Sequence, residues 1–281
     1  HGLSPARLLN YRPIRLARPA RHSEERDNPM LSDTQIEQYH RDGYLIPDIT
    51  LPAETIAGIA EEYDRLLAQH PEFEQYCPAL LDLAPGFLPF CGQQQILDAV
   101  QQLIGPDIAL WNSSFFAKPA GHGKRTPWHQ DGEYWPIVPL ATCTVWLAID
   151  DSTVENGCLR VIRGSHTERR LRAHNQLAAG DEVLTQELDA SEYDPSKAVD
   201  LELKSGQFSL HDVYLLHGSE PNRSPRSRRG MTMRFMPTTS VFDRQLAREK
   251  AEKMKITDHS ERSVFLMRGR DLAGTAGIRA L

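Results

Sequence analysis

The sequence is poor in long apolar runs. None approaches the roughly 18 consecutive apolar residues that a membrane-spanning helix needs; the best, Thr142 to Ile149, stops at Asp150 and Asp151. That excludes a chain threaded through a bilayer by helices. It also lacks a surplus of positive charge, since 32 lysines and arginines face 38 aspartates and glutamates for a net of -6. Without that surplus, counterion release cannot drive binding to a phosphate backbone, and nucleic acid is not an expected partner. Cysteine is scarce and scattered: Cys77, Cys91, Cys143 and Cys158 form no C-x-x-C pair. The spacing excludes a disulfide scaffold and argues against Cys-ligated zinc. The four read as reduced thiols in a core, which fits a cytoplasmic protein. There is no internal repeat and no low-complexity tract. What remains, 281 residues that are 40% hydrophobic and 25% charged, is the composition of a globular chain.

Residues 1–29 carry six arginines against Glu24, Glu25 and Asp27, interrupted by Pro5, Pro13 and Pro19. They read as a leader or non-native segment outside the fold, with one domain expected over 30–281. Ser32-Asp33-Thr34-Gln35 is a capping-box pattern opening a helix that Gly43 ends. Apolar residues recur at helical spacing from Pro52 to His70 and from Gln93 to Ile104. Beyond Asp107 the texture changes to short β-rich runs: Ile108 to Ala117, Thr142 to Ile149, Cys158 to Ile162, Val199 to Leu203, Gln207 to Leu210, Tyr214 to Leu216 and Met231 to Met236. Many short strands after a helical segment predict a mainly β, two-sheet jelly roll with helices on one face, and the charged tail from Arg244 predicts a helix to Lys255.

His129 and Asp131, in Thr126-Pro127-Trp128-His129-Gln130-Asp131-Gly132, form an H-x-D pair. On an extended strand residues i and i+2 share a face about 7 Å apart, so both side chains can reach one metal ion. The pair alone is weak, because 11 histidines and 19 aspartates in 281 residues give about 0.7 such pairs by chance. His40-Arg41-Asp42 is a second instance, but at a helix end, where i and i+2 diverge by about 200°. A third ligand is sought in Gly206 to Ser219, where His217 competes with His211. Two imidazoles and a carboxylate with open positions suit non-haem Fe(II), and zinc also accepts them. Arg228, eleven residues past His217, tips the balance: turned inward, its guanidinium would clamp the far end of a dicarboxylate such as 2-oxoglutarate.

The run WHQDGEYW, then TVWLAIDDSTVENGCLRVIRGSH, then LLHGSEPNRSPRSRRG resembles the phytanoyl-CoA dioxygenase family of Fe(II)/2-oxoglutarate oxygenases across nearly all of residues 30–240. The resemblance implies a double-stranded β-helix (a cupin-like jelly roll), His129, Asp131 and His217 on iron, and Arg228 with Ser219 on the far carboxylate of 2-oxoglutarate. It further implies that Trp146 and Ser114 line the co-substrate pocket. His217 is preferred over His211 by the Gly-Ser that follows it, and Arg228 over Arg229 by the family spacing. The implied activity is hydroxylation of a C–H bond of a small molecule by O₂, with succinate and CO₂ as co-products. The alternatives are a non-catalytic metal- or ligand-binding barrel and a zinc-dependent hydrolase or isomerase. Two features set this chain apart. The phytanoyl-CoA enzymes place a lysine upstream on the co-substrate, whereas the first lysine here is Lys118, which argues against a fatty acyl-CoA substrate. Asp131 fills the carboxylate position that halogenating relatives leave small, which favours hydroxylation. Tyr134 and Trp135 are candidates for the substrate wall, Trp128 for ordinary core, and Arg160, Arg163, Arg169, Arg170 and Arg172 for a solvated face.

Overall fold

A computed structural model describes residues 31–177, 182–256, 258–275 and 277–280; the segment expected to lie outside the fold falls outside these residues. The capping box forms as the sequence predicts. The Ser32 hydroxyl accepts from the Gln35 N–H, the Gln35 side chain accepts from the Ser32 N–H, and the helix Asp33–Asp42 ends on Gly43 at φ 82°, a left-handed cap that glycine adopts without steric cost. Helices Ala53–Gln69 and Gln94–Ile104 turn Ile56, Ile59, Tyr63 and Leu66, and Ile96, Leu97, Ala99 and Val100, into one continuous core.

That core lies against one face of an antiparallel sheet. Its central strands run in the order Phe208–Asp212, Cys143–Ala148, Arg228–Pro237, Ile108–Lys118, with Tyr44–Leu45 on one flank and Val264–Arg268 on the other. Strand periodicity sorts the residues. Val145, Leu147, Phe208, Leu210, Met231, Met233 and Phe235 face the helices. The alternate residues Thr144, Trp146, His211, Arg228, Thr232 and Arg234 face a cavity. Tyr63 stacks on Phe115 from the helical side, ring centroids 4.1 Å apart and planes within 12°, and each such buried side chain contributes about 1.5–3 kcal/mol. A bulge interrupts the pattern: pairing passes from Arg234 opposite Asn112 to Phe235 opposite Leu110, skipping Trp111. As a result Trp111 and Asn112 both line the cavity side, a common use of bulges beside functional sites.

A second antiparallel sheet, Ala198–Leu201, Leu159–Ile162, His217–Ser219 and Thr126–His129, supplies the opposite wall and completes the jelly roll. The sequence places a strand at Tyr214 to Leu216, where the structure has a turn. The Asp212 side chain accepts from the Tyr214 N–H and the Asp212 carbonyl from the Leu215 N–H. Leu215 and Leu216 are buried just ahead of the strand that begins at His217, and only the Leu216 carbonyl reaches its neighbour, accepting from the Ile162 N–H. Helix Arg244–Met254 matches the predicted tail helix.

Candidate metal centre and the cavities around it

His129 ends the strand Thr126–His129, Gln130 stays extended at φ -114° and ψ 130°, and Asp131 opens the one-turn helix Asp131–Tyr134. Asp131 has thus left the strand proper, yet the extended link keeps it on the same side as His129. The Gln130 amide is fully buried and pins this link, donating to the Arg170 and Tyr214 carbonyls and accepting from the Arg172 N–H. His217 stands directly opposite His129 in the ladder, with ring centroids 4.1 Å apart. His129, Asp131 and His217 each offer a ligand atom, all within 4.8 Å of one another and all buried.

Backbone carbonyls fix the tautomers. His129 Nδ1–H donates to the Pro127 carbonyl at 2.8 Å and His217 Nδ1–H to the Leu215 carbonyl at 2.9 Å. Each Nε2 is thereby turned toward Asp131 Oδ1, at 3.6 and 3.8 Å. This orientation of a ring by its second nitrogen is how metal-ligating histidines are held. Burial would raise the Asp131 carboxyl, but the His129 and His211 rings, His217 and the Arg234 charge outweigh it and hold the group well below the usual carboxylate range. Burial and the neighbouring His129 push His217 down. The Thr144 hydroxyl donates to Asp131 Oδ2 at 3.2 Å. His211, the competing candidate, stands beside the trio with Nε2 at 3.4 Å from Asp131 Oδ2. The other H-x-D pair is elsewhere, its Asp42 bonded to Arg41 and Arg163 at the helix end.

Two cavities meet at His129 and Asp131. The narrow one is lined by Trp146, Thr126, Ser219, Thr232, Leu159 and Arg228. Arg228 is only 3% exposed; it donates to the Gly157 carbonyl at 2.9 Å and the Phe116 carbonyl at 3.3 Å, and lies 5.1 Å from the Trp146 ring centroid. Burial lowers it to about 10, so it remains a cation at neutral pH. Arg229 points the other way, into two hydrogen bonds with Asp150 at 2.9 Å. Gly230, two residues on from Arg228, allows the Trp146 ring to lie flat on the strand, since a Cβ there would stand 2.3 Å from it. Ser114 is outside this lining. Its hydroxyl accepts from Arg234 at 2.6 Å and donates to the Pro78 carbonyl. Lys118, at the end of its strand, is buried and bonded to the Lys124 carbonyl; burial and Arg228 push it down to about 6.

The wider cavity holds about 370 Å³ and shares Phe116, His129, Asp131 and Arg234 with the narrow one. Tyr134 and Trp135 wall it, as do Tyr76, Trp111, Phe242 and Arg262, with Trp111 and Trp135 packed edge-on at 4.8 Å. Sequence reasoning missed Arg234, Arg262, Tyr76 and Trp111. For Arg234 a signal was present: it continues the two-residue alternation of Arg228 and Thr232. Trp128 packs with Leu188 and Leu216 in a separate core cluster. The surface arginines are paired with carboxylates, Arg160 with Asp200 and Glu220, Arg169 with Asp212 and Arg170 with Glu192.

A sequence model of the family described as phytanoyl-CoA dioxygenase (PhyH) matches residues 79–230, more than half of the chain. The chain belongs to that family. The phytanoyl-CoA dioxygenase domain-containing protein 1 homolog of Dictyostelium discoideum is 35% identical over 182 residues, 64% of this chain and 64% of that one; this chain therefore spans less than two thirds of that relative's length. Among solved structures, the apo form of the non-heme monooxygenase ThoJ has a TM-score of 0.68 at 26% identity, covering 88% of this chain and 86% of that chain. The epimerase SnoN, solved in complex with Fe3+, alpha ketoglutarate and nogalamycin RO, has a TM-score of 0.60 at 21% identity over 75% of this chain and 85% of its own, a likeness of fold. These solved structures share the jelly roll of this chain, and no helix among the described residues is long and apolar enough to cross a membrane.

Proposed function

We propose that this protein is an Fe(II)- and 2-oxoglutarate-dependent dioxygenase that hydroxylates a C–H bond of a small-molecule substrate, releasing succinate and CO₂. One observation carries the reading: a buried imidazole–carboxylate–imidazole cluster and a buried, inward-facing arginine open into the same narrow cavity. The donor set fits ferrous iron, because both Nε2 atoms and the Asp131 carboxylate converge within 4.8 Å, and three protein ligands would leave positions open for co-substrate and O₂. His129, Asp131 and His217 would hold the metal, which when bound supplies activation of O₂ with 2-oxoglutarate as reductant. Arg228, stacked by Trp146 and already bonded to two carbonyls, offers its remaining donors to the far carboxylate, with the Ser219 hydroxyl beside it. Ser114 would act at one remove, by holding Arg234. The Asp131 carboxylate occupies the position a halide would need, which supports hydroxylation.

Four buried free thiols support residence in a reducing compartment such as the cytoplasm. The test is anaerobic titration of the Fe(II)-loaded protein with 2-oxoglutarate, followed by succinate measurement in air across a compound panel. Saturable binding and O₂-dependent succinate are expected. Protein that retains Fe(II) but neither binds 2-oxoglutarate nor makes succinate would refute the reading.

A further inference from the structure

The wider cavity has an unbalanced charge. Among the described residues its lining carries the cations Arg234, Arg262, Lys250 and Lys255, while Asp131 is its sole carboxylate. Lys250 donates to the Gly132 and Glu133 carbonyls, so its charge is tied to backbone. Arg234 and Arg262 differ from every surface arginine described above. They are 5% and 6% exposed, and each has a buried Nε with no hydrogen-bond partner. Arg234 spends one Nη on Ser114 and lies 5.2 Å from the Trp135 ring centroid. Arg262 donates to the Pro78 carbonyl at 3.2 Å and lies 5.8 Å from the Trp111 ring. Its nearest carboxylate, half-exposed Asp82, is 3.9 Å from Nε, beyond hydrogen-bonding reach.

Burying a guanidinium costs several kcal/mol unless a counter-charge and hydrogen bonds offset it. Neither offset is complete here. Loading the metal site does not supply one. Fe(II) with the 2-oxoglutarate dianion is neutral, and Asp131, which the Arg234 charge already helps hold ionised, is one carboxylate against the three buried guanidinium groups of Arg228, Arg234 and Arg262. The potential is felt nearby: burial first, then the charges of Arg262 and Arg234, lower His259 on the same wall to about 4.

We propose that the wider cavity receives a substrate bearing an anionic oxyacid group, a carboxylate or a phosphate, joined to an apolar body, with Arg234 and Arg262 as the partners of the anion. Calling the occupant a substrate rests on the oxygenase reading; the anion site itself does not. Planar guanidinium forks suit both oxyacids, and Trp111, Trp135, Tyr134 and Phe242 supply apolar wall for the body. Arg234 borders both cavities, so an anion held there places the adjoining carbon chain near the metal ligands.

Calorimetric titration of the full chain, anaerobic and saturated with Fe(II) and 2-oxoglutarate, tests this with three probes of one skeleton: hydrocinnamate, phenethyl phosphate and the neutral hydrocinnamide. At least one anion is expected to bind about tenfold or more tightly than the amide, and whichever anion binds better identifies the oxyacid. Arg262→Gln and Arg234→Gln are each expected to collapse that preference, and Arg262→Lys to keep part of it, with melting curves verifying the fold. An amide that binds wild-type protein as tightly as both anions overturns the proposal without reference to any variant, and so does a preference that survives both glutamine substitutions. Wild-type protein that fails to bind 2-oxoglutarate in the loading step would instead overturn the oxygenase reading, and the anion preference would then be read on the unloaded chain.

Discussion

The two cavities that meet at His129 and Asp131 are built on different plans. The narrow one draws on Thr126, His129, Trp146, His217, Ser219 and Arg228, all inside the stretch that matches the family. Its polar atoms are mostly engaged: both ligand histidines on carbonyls, Arg228 on two more. The wide one draws also on Tyr76, Phe242, His259 and Arg262, and on Arg234, which borders both, all outside that stretch; it leaves the Nε atoms of Arg234 and Arg262 unpartnered, as the narrow one leaves that of Arg228. The contrast teaches that the chemistry and the choice of substrate are separable here. A narrow half built mostly within the matched stretch sits against a wider half that reaches beyond it and holds two buried cations, Arg234 and Arg262, with no carboxylate among the described residues hydrogen-bonded to either.

Substitutions can probe that separation. The largest effect is expected from His129→Ala or Asp131→Ala, which strike the boundary of both cavities: Fe(II) should be lost on dialysis and succinate should fall to the no-enzyme level. Retained iron-dependent turnover would mean that the trio is not the metal site. Arg228→Ala comes next. It should raise KM for 2-oxoglutarate about a hundredfold, as truncating a buried charge partner does, while leaving the anion preference of the wide cavity intact; Arg228→Lys should recover only part, because an ammonium cannot bind bidentately. If the anion preference disappeared with Arg228, the two cavities would not be independent.

Gly230→Ala is a smaller wedge into the same comparison. Its methyl group would stand 2.3 Å from the Trp146 ring, and displacing that ring from Arg228 should cost about tenfold in 2-oxoglutarate affinity, in line with the 1–3 kcal/mol typical of overpacking, again sparing the wide cavity. The subtlest test concerns Lys118. Its ordinary value of 10.5 drops to about 6 in the fold, so between those pH values the unfolded chain binds a proton that the folded chain does not. Stability should therefore rise with pH from about 6 toward 10, and Lys118→Met should flatten that part of the Tm-versus-pH curve. Equal slopes for both proteins would show that Lys118 is protonated behind Arg228.

Much of this was legible along the chain. Alternation within Met231 to Met236 foretold a strand, and Ser32 with Gln35 and Gly43 foretold both ends of a helix, because these depend on contacts within a few residues. Tyr214 to Leu216 was misread because apolar character reports burial and cannot tell a packed turn from a paired strand. Arg262 was illegible for a related reason. A lone arginine in a charged tail looks the same whether it ends in solvent or beneath Trp111. Trp111 itself turns toward the cavity only because a bulge skips it in the ladder.

The sequence by itself determined which donors were on offer, two imidazoles, a carboxylate and a guanidinium in a set order, and the two-residue period that sends alternate side chains to opposite faces of a sheet. Tertiary structure decided that three of those donors meet, since pairing of the strands Thr126–His129 and His217–Ser219 brings ligand atoms of His129, Asp131 and His217 within 4.8 Å of one another. It also decided that Arg234 and Arg262, 28 positions apart, share one desolvated wall. Local periodicity is a property of the backbone, whereas desolvation depends on every segment that closes over a side chain.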